Sequence, residues 1–137
     1  MIRATFASAA VSALLVTALT GCVTAPAPLP EDSVRRASKE YWTLLLTGKY
    51  DQAYELVAPS ARKNHSLESY KKSFGATVQW LTAEVATVNC SEPSKCTANV
   101  EIGARPIVPP GFKGTIRTQY TETWSLEDGR WWLIPKI

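Results

Sequence analysis

The chain has 137 residues, of which 45% are apolar and 20% charged, and a formal net charge of +3. That size and composition suit one globular domain and not comfortably two. The charge is too mild, and too little interleaved with aromatics, for a nucleic-acid surface, and no internal repeat or long low-complexity tract occurs.

Met1, Ile2 and Arg3 form a short basic start before an uncharged apolar run over residues 4–18. A run of about 15 residues falls short of the roughly 20 that span a bilayer, so it reads as the apolar region of an export signal. The small residues Thr20 and Gly21 then leave the backbone open to a peptidase just before Cys22. The stretch Leu19-Thr20-Gly21-Cys22 resembles the bacterial lipobox. This resemblance implies that residues 1–21 are a lipoprotein signal peptide and that Cys22 becomes a lipidated N-terminus anchored in the membrane. One acyl chain holds a protein only marginally, whereas two or three on one residue make a lasting anchor. The alternative is an ordinary secretory signal cleaved near a chance cysteine, which would leave an exposed thiol in an oxidising compartment. Val23 in place of an aspartate suggests, by the usual sorting pattern, the outer membrane, facing the periplasm. Residues 22–31 carry Pro26, Pro28 and Pro30 and form an extended, semi-rigid tether of about 3 Å per residue.

The remaining residues, 32–137, divide into helices followed by strands, which predicts an α+β domain. Asp32 or Ser33 is placed to cap a first helix whose apolar face is Val34, Ala37, Tyr41, Leu44 and Leu45, with Gly48 as the stop. A shorter second helix after Asp51 carries Ala53, Tyr54, Leu56 and Val57, and ends at Ala58-Pro59. A third runs from Ser66 to Gly75 with Leu67, Tyr70 and Phe74 on one side. Period-two patterning then predicts strands over residues 77–89, 97–107, 115–126 and 131–137. Glu127-Asp128-Gly129-Arg130 is a hairpin signal. In the first strand the apolar phase moves from Val78 and Trp80 to Leu81, Ala83 and Val85, as a bulge produces. The expected architecture is N-terminal helices packed in a strongly curved antiparallel four-stranded sheet.

With this element order, Tyr41-Trp42, Leu44 to Leu46, the stretch GKYDQAYELVAPSAR from Gly48 and the stretch WSLEDGRWWL from Trp124 resemble the NTF2-like (cystatin-like) superfamily. The resemblance implies a sheet wrapped around a long helix into a cone, whose interior is either a ligand pocket or a filled core. It also implies frequent dimers through the sheet, and it carries no particular activity.

Cys90 and Cys96 flank a five-residue loop between two predicted strands and read as a disulfide in an exported protein, in preference to a redox or metal pair. His65 lies in a polar turn and reads as a surface histidine. Arg62, Lys63, Lys71 and Lys72 cluster around the third helix, either as a solvated face or as a contact for anionic groups. Trp131 and Trp132 must point to opposite faces of the last strand, one into the core and one to an interface or a glycan-stacking surface. Residues 106–114 form a stiff connection, either rimming the cone's mouth or serving as a plain loop. Setting Cys90 opposite Cys96 places Glu84 by Ile102 on an apolar face, and Tyr120, Glu122 and Trp124 share a face of the third strand. A carboxyl group in such company is pushed towards its protonated form and serves as base, acid or ligand anchor, unless the face is solvated or the acid is paired. Glu122, Tyr120, Trp124 and Glu84 are therefore the candidate ligand-binding residues, with no cofactor and no metal implied.

The function expected is a lipid-anchored cell-envelope binding or scaffold module without catalytic activity, a homodimer or a partner of another envelope protein through its sheet. The alternatives are a small cone-pocket isomerase or hydrolase using a buried carboxylate, and an accessory subunit of an envelope or secretion assembly. Replacing Cys22 with serine is expected to abolish incorporation of labelled palmitate and to release the protein from membranes, as fractionation would show; unchanged labelling would refute the anchor.

Overall fold

A computed structural model describes residues 26–75, 78–107 and 111–136. The signal segment, Cys22, the start of the tether and part of the 106–114 connection lie outside the described residues. Four helices, α1 (Pro30–Leu46), α2 (Tyr50–Tyr54), α3 (Pro59–Arg62) and α4 (Leu67–Gly75), precede four strands, β1 (Val78–Glu92), β2 (Lys95–Pro106), β3 (Ile116–Glu127) and β4 (Arg130–Ile134). The strands form one antiparallel sheet in the order β1-β2-β3-β4. The chain is thus α+β, helices first. Among the described residues no helix is long and apolar enough to cross a membrane.

Helix α1 begins earlier than a cap at Asp32 or Ser33 would place it. Pro30 occupies the first turn after Leu29, which makes no side-chain cap, and Glu31 and Asp32 follow. Proline lacks the N–H that would go unsatisfied there, and acids suit the positive end of the helix dipole. The last residue of the expected tether, Glu31, and Pro30 before it therefore belong to the helix. The helix ends at Leu46, capped by Thr47 and closed by Gly48, whose φ of 71° lies in the left-handed region.

The face α1 buries is Val34, Ser38, Tyr41, Trp42 and Leu45. It packs on the inner face of the sheet against Val88, Ala98, Val100, Ile102 and Trp124. Leu56 and Val57, expected in the second helix, instead form a parallel bridge to β4, with the Ala58 amide donating to the Leu133 carbonyl at 2.9 Å and the Leu133 amide donating to that of Leu56 at 2.9 Å. This covers part of the free edge of β4, and Pro59 then opens the short α3.

Register explains the faces of the sheet. The bulge expected after Trp80 is present, with the pairing shifting between Trp80 and Thr82. A second shift lies between Val85 and Thr87, and a third near the turn, between Cys90 and Glu92. The β2–β3 and β3–β4 ladders run through consecutive residues without a shift. A bulge bends the strand that carries it. Here they are confined to the edge strand β1, and the sheet is not strongly curled, contrary to expectation. Strand β4 pairs only with Thr123–Glu127 of β3, so the first half of β3 is an open edge. In the β3–β4 turn Asp128 and Gly129 both take positive φ, 51° and 75°, as a two-residue hairpin requires.

Cys90 and Cys96 are opposed across β1 and β2 and joined by a disulfide. The strands continue past the bridge, leaving Pro93 and Ser94 as the turn, and the Leu126 amide donates to the Ser94 carbonyl at 2.8 Å. Closing so short a loop is worth about 2 kcal/mol in the chain-entropy model. The double variant Cys90→Ala/Cys96→Ala is expected to lose about that much in urea denaturation, and the unreduced wild-type protein to show one linked peptide pair by mass spectrometry. Two free thiols under native conditions would refute the bridge.

Candidate functional site

Glu122 is 1% exposed, on the inner face of β3 opposite Ala98. Its carboxyl group meets three donors. The Ser38 hydroxyl donates to Oε2 at 2.6 Å, the Trp124 indole N–H to Oε2 at 2.9 Å, and the Trp42 indole N–H to Oε1 at 2.5 Å. Ser38 and Trp42 are four apart on α1, one helical turn, so both reach the same strand position. Trp124 is two along from Glu122, on the same face of β3. Among the described residues no cation pairs with this group.

Two opposing effects act on the carboxyl. Burial disfavours the charged form and pushes its pKa up, while the hydrogen bonds from Ser38, Trp124 and Trp42 pull it down; burial prevails. Around it the aromatics pack edge to face, Trp42 meeting Tyr41 at 5.9 Å, Trp80 at 5.7 Å and Tyr120 at 6.1 Å between ring centres. Glu122 and Trp124 are sealed in the core, whereas Tyr120 is 37% exposed. The three candidates on β3 thus share one face, as alternation implies, with two in the core and one at its margin.

Glu84 is not with them. The shift at Ala86 pairs Val85 with Val100 and Ala83 with Ile102, so Glu84 pairs with Glu101, not Ile102, and is exposed on the outer face. It borders a wide groove of about 800 Å³ together with Glu101, Arg117 and Gln119. The Arg35 guanidinium on α1 donates to the Val85 carbonyl at 2.8 Å, beside the bulge. The outer face across the middle of β1, β2 and β3 is polar. Thr121 donates to Asn99, which donates to Thr87, at 2.8 and 3.1 Å, a side-chain ladder across three strands.

Of the other residues singled out, Trp131 packs against the core. Trp132 lies on the other face under the Arg130 guanidinium, 4.3 Å from its ring centre. Arg62, Lys71 and Lys72 pair with Glu55, Asp51 and Glu68, which locally offsets the basic cluster. His65 is half-buried, and its carbonyl accepts from the Tyr54 hydroxyl. It borders a cleft of about 430 Å³ between α1, α2, α4, β3 and the end of β4, with Tyr41, Tyr54, Tyr70, Phe74 and Tyr120 among its walls.

Sequence reasoning missed Ser38, Trp42 and the cleft. The signal for Ser38 was a serine four after Val34 and three before Tyr41, inside an otherwise apolar helical stripe. The cleft had none, because it is assembled from five separate elements.

No protein-family model matches the chain, and no curated protein matches it. Among solved structures the chain is similar to the solution structure of a SEC-C motif containing protein from Rhodopseudomonas palustris, at 13% identity and a TM-score of 0.60, over 72% of this chain and 73% of that one. At that identity the likeness is one of fold.

The raised pKa of Glu122 has a signed consequence. The folded state holds its proton more tightly than the unfolded state, so this contribution to stability is complete below the ordinary value of 4.5 and is lost as pH rises through the raised one. Glu122→Gln cannot titrate. Denaturation midpoints measured upward from pH 4.5 are therefore expected to shift in favour of the variant, relative to wild type, across that window. A constant difference between the two proteins would show that Glu122 does not titrate there.

Proposed function

We propose that this chain is a lipid-anchored binding or scaffold module of the cell envelope, held at the outer membrane through Cys22 and built on an NTF2-like frame without acid–base catalysis. One observation carries the non-catalytic part of the reading. Glu122, the acid that burial perturbs, has both oxygens taken up by Ser38, Trp42 and Trp124 and is sealed from solvent. A general acid or base needs hydrogen-bond reach to a substrate proton, directly or through one water. Glu122 instead braces a helix against a sheet. The NTF2-like frame is supported by the order of elements, helices followed by a four-stranded meander with α1 lying across its inner face. The anchor is supported by the charge-free run ending at Leu19-Thr20-Gly21-Cys22. Docking through an apolar outer sheet draws no support from a face carrying the Thr87–Asn99–Thr121 ladder.

The test is complementation of a deletion strain by full-length Glu122→Gln, scored by envelope integrity below the variant's melting temperature. The amide must turn its NH₂ towards at least one indole N–H, so a stability loss of about 1–3 kcal/mol is expected at low pH, where the wild-type carboxyl is protonated. Complementation by the folded variant is expected to be complete. A folded variant that fails to complement would establish a chemical role for the carboxylate and overturn the reading.

A further inference from the structure

The cleft beside Glu122 has a composition that selects a ligand. Its volume of about 430 Å³ falls in the range of small-molecule sites. One wall is a continuous run of rings, with Tyr54 to Tyr70 at 5.2 Å and Tyr70 to Phe74 at 4.8 Å between centres. Tyr41 stands across from them on α1, 2% exposed, and its hydroxyl accepts from that of Tyr70 at 3.0 Å.

That pair leaves a proton unspent. Two phenols carry two donors, one of which is used within the pair, and among the described residues no acceptor takes the other. A buried donor without a partner costs about 1–3 kcal/mol, a cost that a ligand oxygen would remove. The Tyr120 hydroxyl likewise has no protein partner among the described residues, and Lys136 and Ser69 also border the space. No aspartate or glutamate is among the residues lining it. The cleft therefore offers ring faces and an excess of donors. Burial raises the pKa of Tyr41, Tyr70 and Tyr120, which keeps all three phenols protonated at neutral pH.

We propose that this cleft binds a small ring-bearing monocarboxylate, its ring against Tyr54, Tyr70 and Phe74 and its carboxylate accepting from the Tyr41–Tyr70 phenol pair and Tyr120, with the Lys136 ammonium at the rim. The proposal rests on the binding-module reading and names the ligand class. A carboxylate fits because it only accepts and its charge suits the cation at the rim. A cationic amine would bring further donors to a site already in excess of them.

The test is calorimetric titration of the purified full chain with 2-naphthoate, 2-naphthylmethanol and 2-naphthylmethylammonium. Saturable one-to-one binding is expected for the carboxylate, at least tenfold tighter than for the alcohol. The double variant Tyr41→Phe/Tyr70→Phe, which keeps both rings and removes both hydroxyls of the pair, is expected to weaken naphthoate about tenfold while leaving the alcohol within about twofold. Lys136→Met is expected to weaken naphthoate a few-fold and to reduce its salt dependence. Equal affinity for alcohol and carboxylate, preference for the ammonium, no binding, or indifference to Tyr41→Phe/Tyr70→Phe would each overturn the proposal. None of these outcomes bears on complementation by Glu122→Gln, so loss of the ligand class and loss of the binding-module reading are read from separate experiments.

Discussion

Placing a lone carboxyl group in a protein interior costs several kcal/mol unless its oxygens are supplied with donors. Glu122 obtains two of its three from α1, 84 and 80 residues away in the chain, through Ser38 and Trp42. That requirement ties the helix to the strand in direction, rotation and height. Rotating α1 by one residue would take Ser38 and Trp42 out of reach. Slipping β3 by one residue would turn Glu122 out to solvent and bring Thr121 or Thr123 inward. Apolar packing alone tolerates such errors more readily, because Val34 and Leu45 ask only for volume. The carboxyl group thus adds specificity to a fold whose stability comes from the rings and aliphatic groups around it.

The legible part of this architecture follows from period and turn chemistry. The helical stripe of α1, the Asp128-Gly129 turn, the Cys90–Cys96 pairing and the bulge after Trp80 each leave a local mark in the sequence. That Glu122 and Trp124 share a face was also legible, because alternation along β3 does not depend on other strands. The burial of that face was not, since it depends on α1 lying over it. Glu84 was misplaced for a specific reason. Val85 and Val88 are three apart and both face inward, which a regular strand forbids, so an extra residue must lie between them. Ala86, small and indifferent to face, hides that residue. A bulge left out of the register moves every acid beyond it to the wrong side of the sheet.

The short helices illustrate a different limit. Leu56 and Val57 carry a helical pattern, yet they end as a bridge to Leu133 because the edge of β4 offers unpaired backbone groups close by. Tertiary hydrogen bonding outweighs local propensity in so short a segment. The cleft is less legible still, since its walls come from segments scattered between Tyr41 and Lys136. The likeness to a solved structure conveys architecture and leaves the chemistry of Tyr41, Tyr70 and Glu122 to be argued from this chain alone.

The brevity of β4 divides its partner. Pro135 follows Ile134 and has no N–H to offer, so pairing stops there and cannot run further along β3. From Thr123 to Ser125 β3 is flanked on both sides, and its backbone groups there open only when two neighbouring strands do. From Ile116 to Glu122 it is held by β2 alone, and every alternate amide faces away from any strand. One continuous strand therefore contains two levels of protection against hydrogen exchange, with its firm half beside the disulfide-closed hairpin and its loose half beside the cleft. Thermal opening would begin at Ile116 and advance towards Glu122, where three donors on one carboxyl group arrest it.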